Sequence, residues 1–411
     1  MAFLDRLFIE IGHAWTTFLL RFLPEGVVSL IGILLSAILI STFAALTFLV
    51  MTFLERKVVA RIQDRIGPNR AGPFGVLQPF ADMLKMFTKE LTTPAGAHKI
   101  VFNLAPIIAA APGLMIFAVI PFGKGMVAAD LDVGVIYFIA IGSIAEIGIL
   151  MGGWASRNKF ALLGAMRAVA QMISYEIPMV LAFMGILMMA GTLKLSALVE
   201  AQVLPFLVLQ PVAFLIWLVS AAAELNRSPF DIMEAESEIV AGYHTEYSGM
   251  KFGLFQMAEF VAAYASAAIA TTVFFGGWRG IDLPGVDIIP GWLIFWLKSY
   301  IIVFALFWFR GTFPRLRIDQ LQAFCWKFLV PAALLNVLVT GVVVYFFPIM
   351  RVGVQVPAGA GWVVTTVAYL IGNAITIVLL LIFYRRPTRR AAAQFQAVEP
   401  TPAVIREVRP A

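Results

Sequence analysis

Nine long apolar runs dominate this sequence and restrict what it can fold into. A helix needs about 20 mostly apolar residues to cross a bilayer, and each run spans about 18–28 residues. In hydrocarbon a helix bonds its own backbone polar groups, so such runs are stable as spanning helices. We predict an all-α polytopic membrane protein with about nine transmembrane helices. The predicted crossings are Val27–Leu54, Ile100–Phe122, Gly134–Trp154, Met172–Thr192, Leu204–Leu225, Phe252–Phe275, Trp292–Phe309, Cys325–Pro348 and Val363–Tyr384.

The composition agrees with a membrane protein and excludes several kinds of site. Hydrophobic residues make up 61% of the 411-residue chain and charged residues only 13%, unlike a soluble globular domain. The single cysteine, Cys325, rules out a disulfide framework and a cluster ligated by cysteines of this chain alone. His13, His98 and His244 are too far apart in sequence to indicate a zinc or haem site by their spacing.

Positive charge predicts the orientation of the chain. Lys and Arg concentrate in the loop 55–99 and in the tail 386–411, and cytoplasmic loops are the ones enriched in these residues. We therefore expect a bacterial inner-membrane protein with a periplasmic N-terminus and a cytoplasmic C-terminus. Apolar residues at spacings of three and four predict an interfacial helix over 1–24. We expect an eight-helix core over 25–350, an additional ninth helix over 351–385, and disorder in the Pro- and Ala-rich tail.

A polar loop over 55–99 joins the first two crossings. Its glycines and prolines between 67 and 75 predict a stiff, turning backbone. The Gly-Lys-Ser/Thr ending of a phosphate loop is absent from this segment. Residues 78–90 follow, with Pro79 suited to a first helical turn and with apolar side chains recurring on one face. They predict a short amphipathic helix at the cytoplasmic interface.

The second polar stretch is the acidic loop over 226–250. It contains many carboxylates, whereas Arg227, near its start, is its single cation. Cytoplasmic loops normally lean basic, so orientation alone does not explain it. On one interpretation Asp231 only starts a helix, because residues 228–231 fit a capping box. On the other, the like-charged Glu234–Glu238 pair, which destabilises a helix, indicates proton sharing or pairing with another subunit.

Four glutamates lie inside or at the end of apolar runs, at Glu146, Glu176, Glu224 and Glu259. An ionised carboxylate in hydrocarbon costs at least about 2.5–3.5 kcal/mol, so such residues face the bundle interior. One interpretation is that they are paired carboxylates that only fix packing. The other is a hydrated proton path, since buried carboxylates can exchange protons near neutral pH. Four carboxylates on different helices, with almost no buried cation, favour the proton path.

Two blocks of sequence resemble a known family. The first holds Glu-Arg-Lys (55–57), Arg-Ile-Gly-Pro-Asn-Arg (65–70) and Gly-Pro-Phe-Gly-Val-Leu-Gln-Pro-Phe-Ala-Asp (72–82). The second holds Ala-Glu-Leu-Asn-Arg-Ser-Pro-Phe-Asp (223–231) and Glu-Ser-Glu…Thr-Glu-Tyr-Ser-Gly (236–249). These blocks resemble the H-subunit family of bacterial NADH–quinone oxidoreductase, respiratory complex I, and its mitochondrial counterpart, NADH dehydrogenase subunit 1. The ninth crossing and the tail extend beyond the shorter members of that family.

The resemblance implies a subunit that anchors the peripheral electron-transfer arm to the membrane arm and supplies the membrane part of a quinone chamber. The residues implied for quinone binding are Arg56, Arg65, Asp82, Lys85 and Phe87. The acidic channel that leads from the chamber into the membrane is implied for Glu146, Glu176, Glu224 and Glu259. The acidic coupling loop is implied for Asp231, Glu234, Glu236 and Glu238, with Arg227 as counter-charge.

The resemblance also implies the cofactors and partners. We expect quinone as substrate and no cofactor bound by this chain, with FMN and iron–sulfur clusters on partner subunits. The expected partners are the peripheral-arm subunits of the quinone site and small subunits of the membrane arm. We expect contact with lipid and none with nucleic acid. The alternative is the homologous subunit of a membrane-bound hydrogenase or of a ferredoxin-dependent photosynthetic complex. A stand-alone secondary transporter would be expected to contain inverted repeats, and none is visible in the sequence.

Overall fold

The computed structural model describes residues 2–202, 204–227, 229–233, 239–280, 289–347 and 360–396, with side chains for all of these except 2–8, 360–362 and 384–396. This part of the chain is helical, and Gly123 and Met126 form an isolated β-bridge. The predicted all-α polytopic class is therefore confirmed.

Fourteen α-helices follow one another along the described ranges. The first seven are α1 (Ala2–Leu19), α2 (Glu25–Ile62), α3 (Gln78–Thr88), α4 (Lys99–Ile116), α5 (Gly134–Ala155), α6 (Lys159–Ala190) and α7 (Leu195–Ala201). The others are α8 (Phe206–Leu209), α9 (Pro211–Glu224), α10 (Gly249–Phe274), α11 (Gly291–Thr312), α12 (Ile318–Phe324), α13 (Val330–Phe346) and α14 (Ala360–Gln396). Short 3₁₀ turns lie at Pro73–Gly75 and Gly242–His244, and a π turn at Cys325–Leu329 joins α12 to α13.

Eight helical spans in the described ranges are long and apolar enough to cross a membrane. They are Glu25–Ile62, Lys99–Ile116, Gly134–Ala155, Lys159–Ala190, Gly249–Phe274, Gly291–Thr312, Ile318–Phe346 and Val363–Phe383. The fifth predicted crossing, Leu204–Leu225, differs because it is divided at Gln210 into α8 and α9, and α9 has only 14 residues.

Helix packing depends on small residues where two backbones approach closely. In this bundle α4 packs against α5 and α10, and α6 packs against α5, α9 and α13. A Cβ atom added at Gly148 on α5 would lie 2.5 Å from the backbone nitrogen of Ala109 on α4. Only glycine allows that approach, as is common between membrane helices. The centre of the bundle is filled by buried aromatic residues that include Tyr175, Phe183, Trp217, Tyr264 and Phe274.

The two predicted amphipathic helices form, and each leaves apolar side chains exposed. On α3, Pro79 lies in the first turn as predicted, and Leu84 and Phe87 are 61% and 60% exposed. On α1, Trp15 and Phe18 are also exposed. Since the described part of the chain does not cover these side chains, a position at the membrane interface or against a partner stays a prediction for both helices.

The C-terminal helix α14 is longer than predicted. It continues to Gln396, so the segment from residue 386 to this point is helical where disorder was predicted. Ala, Arg and Gln are frequent there and are good helix formers, which explains the extension. The rest of the predicted tail, 397–411, lies outside the described residues.

Candidate functional site

The end of α2 and the helix α3 bring together three of the predicted quinone residues. Arg56 on α2 forms an ion pair with Asp82 on α3. Lys85 Nζ lies 3.8 Å from Asp82 Oδ1, and Gln78 Nε2 donates to the same oxygen at 3.2 Å. The Arg56 side chain is 48% exposed and that of Asp82 is 19% exposed. Asp82 is therefore held between two cations and an amide at the edge of the bundle.

The other two predicted quinone residues are not members of this ion-pair group. Arg65 is exposed and its Nε donates to Gln63 Oε1 at 2.7 Å, while Phe87 lies near the end of α3. The intervening loop turns tightly at Gly75, which has φ +81°, and a Cβ atom there would lie 2.1 Å from the Pro68 carbonyl oxygen. Only glycine is compatible with this turn.

Arg227 lies at the centre of a buried ion network formed by Glu55, Arg227, Glu259 and Arg310. Its side chain is only 2% exposed. Nη1 donates to Glu55 Oε2 on α2 at 2.9 Å, and Nη2 lies 3.4 Å from Glu259 Oε1 on α10. Arg310 on α11 also pairs with Glu55. The guanidinium stacks on the Phe260 ring, 4.7 Å from its centroid. These contacts satisfy a charge that would be costly to bury alone.

Sequence reasoning did not assign Glu55 and Arg310 to the site. Glu55 lies directly before Arg56 at the end of an apolar run. That position was the one sequence feature that could have identified it as a site residue. Arg310 looks like an ordinary cytoplasmic cation in the sequence. Its partner Glu55 is 255 positions away, so only the packing of α2 against α11 brings the two together.

The described part of the acidic loop is organised by a different cation from the one expected. Asp231 is 4% exposed, and its Oδ2 accepts a hydrogen bond from Arg315 Nη2 at 2.9 Å. Residues 229–233 are turns and irregular backbone, so the first of the two interpretations, in which Asp231 only starts a helix, is wrong. In this irregular segment the Asp231 carboxylate pairs with Arg315. Ser228, Glu234, Glu236 and Glu238 lie outside the described residues.

Three of the four membrane glutamates form one group. Glu146 on α5 and Glu224 at the end of α9 each interact electrostatically with Glu176 on α6, and Glu224 also interacts with Glu146. Ser143 Oγ donates to Glu176 Oε1 at 2.5 Å. Helices α5, α6 and α9 therefore present their carboxylates to one another. The fourth glutamate, Glu259, belongs to the buried ion network.

Two cavities meet at Glu259. The polar cavity, with a volume of about 170 Å³, is lined by the buried ion network together with Thr52, Arg56, Gln256 and Phe260. The inner cavity, with a volume of about 80 Å³, has mostly apolar walls and includes Glu224, Asn226, Tyr243 and Ser266. Glu259 lines both cavities and Glu224 lines the inner one. A carboxylate therefore stands between the charged end of α2 and the glutamate group.

His244 lies beside the inner cavity without being one of the residues that sequence reasoning selected. Its ring contacts Tyr243 and Phe252 edge-on, with centroid distances of 5.1 and 5.3 Å. Burial lowers the pKa of His244 to about 4, because the charged imidazolium would lose its hydration. His244 is therefore neutral near pH 7. In the described ranges no three His, Cys, Asp or Glu side chains are grouped as metal ligands.

Comparison with known proteins assigns the chain to a family. The sequence model of the NADH dehydrogenase family matches residues 35–341. The chain is 49% identical over 304 residues to the H subunit of the NADH-quinone oxidoreductase of Dehalococcoides mccartyi strain CBDB1, covering 74% of this chain and 84% of that protein. It is 51% identical over 302 residues to one of the corresponding H subunits of Geobacter sulfurreducens, covering 71% and 90%. It is 50% identical over 295 residues to the corresponding protein of Anoxybacillus flavithermus, covering 71% and 88%.

The matched region contains both cavities, the buried ion network and the glutamate group, whereas α14 lies beyond it. With three quarters of the sequence matched and about half of the aligned residues identical to those of these relatives, the chain belongs to the NADH dehydrogenase family.

Proposed function

We propose that this chain is the membrane subunit of a proton-translocating NADH–quinone oxidoreductase, where it forms part of the quinone chamber and conducts protons through buried glutamates. The names of its relatives support membership of this complex. One structural observation supports the proposed role within it. Glu259 lines both the polar cavity and the inner cavity. In this proposal the FMN and iron–sulfur clusters lie on partner subunits of the peripheral arm, which deliver electrons to the quinone.

The group around Asp82 suits the head of a quinone. Reduction places negative charge on the quinone oxygens unless protons arrive at the same time, and positioned cations stabilise such charge. Arg56 and Lys85 supply the cations, and Asp82 holds them through its ion pairs. The exposed apolar side of α3, with Phe87, would cover the less polar part of the molecule. The simpler alternative is that these cations only bind lipid phosphate.

The carboxylates inside the bundle suit a proton relay. Beyond Glu259, the inner cavity reaches Glu224, which interacts with Glu176 and Glu146 on the next two helices. Each of these groups can accept a proton and release it to the next through a hydrogen bond or a bridging water. The order of transfer we propose is Glu259, Glu224, Glu176 and Glu146, and it carries protons from the quinone side into the middle of the membrane.

The quinone assignment predicts that variants at this site change one activity and preserve another in the same membrane preparation. We expect Asp82→Asn and Arg56→Ala to reduce NADH–quinone reductase activity, or to change its response to quinone-site inhibitors, because these two residues form the ion pair beside the proposed quinone head. NADH oxidation by a soluble artificial acceptor should persist, because that chemistry occurs in the peripheral arm. Assembly should also persist, since partly exposed ion pairs contribute only about 0–1 kcal/mol. The measurement is the ratio of the two activities.

Asp319→Asn is the matched control, because Asp319 also pairs with an arginine, Arg317 Nε at 3.3 Å, but away from α3. Its activity ratio should equal that of the unaltered protein. If the ratio and the inhibitor response stay unchanged in both test variants, the quinone head binds elsewhere and the loop is only a structural clamp.

We also propose a periplasmic N-terminus and a cytoplasmic C-terminus. The eight long spans and the divided fifth crossing give nine crossings in total. A reporter enzyme that is active only in the periplasm should be silent when fused after Ala411. A fluorescent protein that folds in the cytoplasm should be bright at the same position. The opposite pattern would mean that the number of crossings or the orientation is incorrect.

A further inference from the structure

One buried glutamine joins α6 to the segment that follows α9. Gln171 on α6 is fully buried. Its Nε2 donates to the Ala223 carbonyl at 2.6 Å and to the Phe230 carbonyl at 2.7 Å. The same nitrogen lies 3.2 Å from Asn226 Oδ1. An amide nitrogen carries two hydrogens, so the two short contacts to carbonyl oxygens account for both.

The turn after α9 closes directly behind Glu224. Asn226 has φ +50°, in the left-handed region, where asparagine is one of the few residues besides glycine that are found. The Asn226 and Arg227 N–H groups donate to the Ala223 and Ala222 carbonyls, each at 3.1 Å. This turn therefore holds Glu224, a member of the glutamate group, close in sequence to Arg227, the centre of the buried ion network.

Helix α6 supplies both the buried glutamine and a neighbouring carboxylate. Gln171 and Glu176 lie on this helix, and between them the Tyr175 ring packs against the Phe230 ring with a centroid distance of 5.5 Å. Glu224 interacts electrostatically with Glu176. Two members of the glutamate group thus lie on the two helices that Gln171 joins directly.

We propose that Gln171 is a positioning residue that keeps the carboxyl group of Glu224 within proton-transfer reach of Glu176. Proton transfer needs a donor and an acceptor within hydrogen-bond reach, directly or through one water, and a displacement of about 1 Å can cost about 100-fold in rate. The bond to the Ala223 carbonyl holds the residue directly before Glu224, and the bond to the Phe230 carbonyl holds the far side of the turn. This inference rests on the relay in the proposed function and adds the residue that sets its geometry.

Gln171→Met tests the positioning role, because methionine keeps much of the side-chain volume and removes both donors. We expect quinone-dependent turnover per assembled complex to fall at least about tenfold with an unchanged KM for quinone, since the carboxylate separation changes and the quinone group does not. Gln202→Met is the matched control. Gln202 is 3% exposed and donates to the Thr272 carbonyl at 2.7 Å, about 20 Å along α10 from Glu259. Its turnover per complex should equal that of the unaltered protein.

A double variant shows whether Gln171 acts through Glu224. Residues that serve one step do not have additive effects, so Gln171→Met should add less than about twofold to the loss caused by Glu224→Gln. If the two losses multiply, Gln171 acts elsewhere and the proposal is overturned. Normal turnover of Glu224→Gln alone would refute the relay itself, and the positioning role with it. A slow Glu224→Gln variant beside a normal Gln171→Met variant would refute only the positioning role.

Gln171→Asn is a second variant that remains informative if Gln171→Met fails to accumulate. Asparagine keeps a buried amide but is one methylene shorter, which draws its donor back by about 1.5 Å from the two carbonyls. We expect this variant to assemble and its turnover per complex to fall, again with an unchanged KM for quinone. Turnover equal to that of the unaltered protein would contradict the positioning role.

Discussion

Replacement of Arg227 by methionine is expected to remove most of the assembled complex from the membrane. Arg227 is the buried cation of Glu55 and Glu259, and methionine keeps much of its volume without its charge. Removing one partner of a buried ion pair costs about 3–5 kcal/mol. That is a large part of the roughly 5–15 kcal/mol that stabilises a typical folded domain. Native electrophoresis of solubilised membranes, with an immunoblot for this chain, measures the loss.

Arg317→Met is the matched control for this prediction. Arg317 pairs with Asp319, but the two side chains are 76% and 64% exposed, and such pairs contribute about 0–1 kcal/mol. The control should assemble normally. Arg227→Lys should be intermediate, because lysine keeps the charge and loses the forked geometry that reaches two carboxylates. Normal amounts of complex with Arg227→Met would mean that the ion network does not hold α2, α10 and α11 together.

Replacement of Glu224 by glutamine is expected to leave an assembled complex that turns over slowly. Glutamine keeps the shape and the hydrogen bonding of glutamate but cannot release a proton. Positioned proton transfer typically contributes about 10²–10⁴-fold to a rate, so we expect at least a tenfold loss. Quinone-dependent NADH oxidation and proton pumping into sealed vesicles should fall together, since one path serves both.

Glu259→Gln should give the same joint loss with an added effect on stability, because Glu259 also faces Arg227. The comparison of the two variants therefore separates the relay from the ion network. Glu200→Gln, at an exposed glutamate on α7, is the control and should behave as the unaltered protein. Normal pumping in both Glu224→Gln and Glu259→Gln would show that these carboxylates only pack.

Hydropathy predicted most of the helices because a membrane helix is a local structure. Its hydrogen bonds join residues four apart, so the segment itself contains the information. The fifth crossing is a feature that hydropathy does not predict. An average over Leu204–Leu225 does not register that Gln210 leaves the helix, and the break persists because side chains from α13 and α14 bond to it.

The residues of the candidate site were also only partly predictable from the sequence. Sequence alone indicated Asp82 with Lys85, one turn apart on a single amphipathic helix, and it indicated that Glu146, Glu176, Glu224 and Glu259 face inward, because hydrocarbon excludes charge. Only the tertiary structure decided which charges pair. Arg227 meets Glu55 across 172 positions, and Asp231 meets Arg315 across 84 instead of starting a helix. Spacing determines which residues share a helix face, whereas ion pairs between helices depend on how the helices pack, and no local pattern in the sequence encodes that.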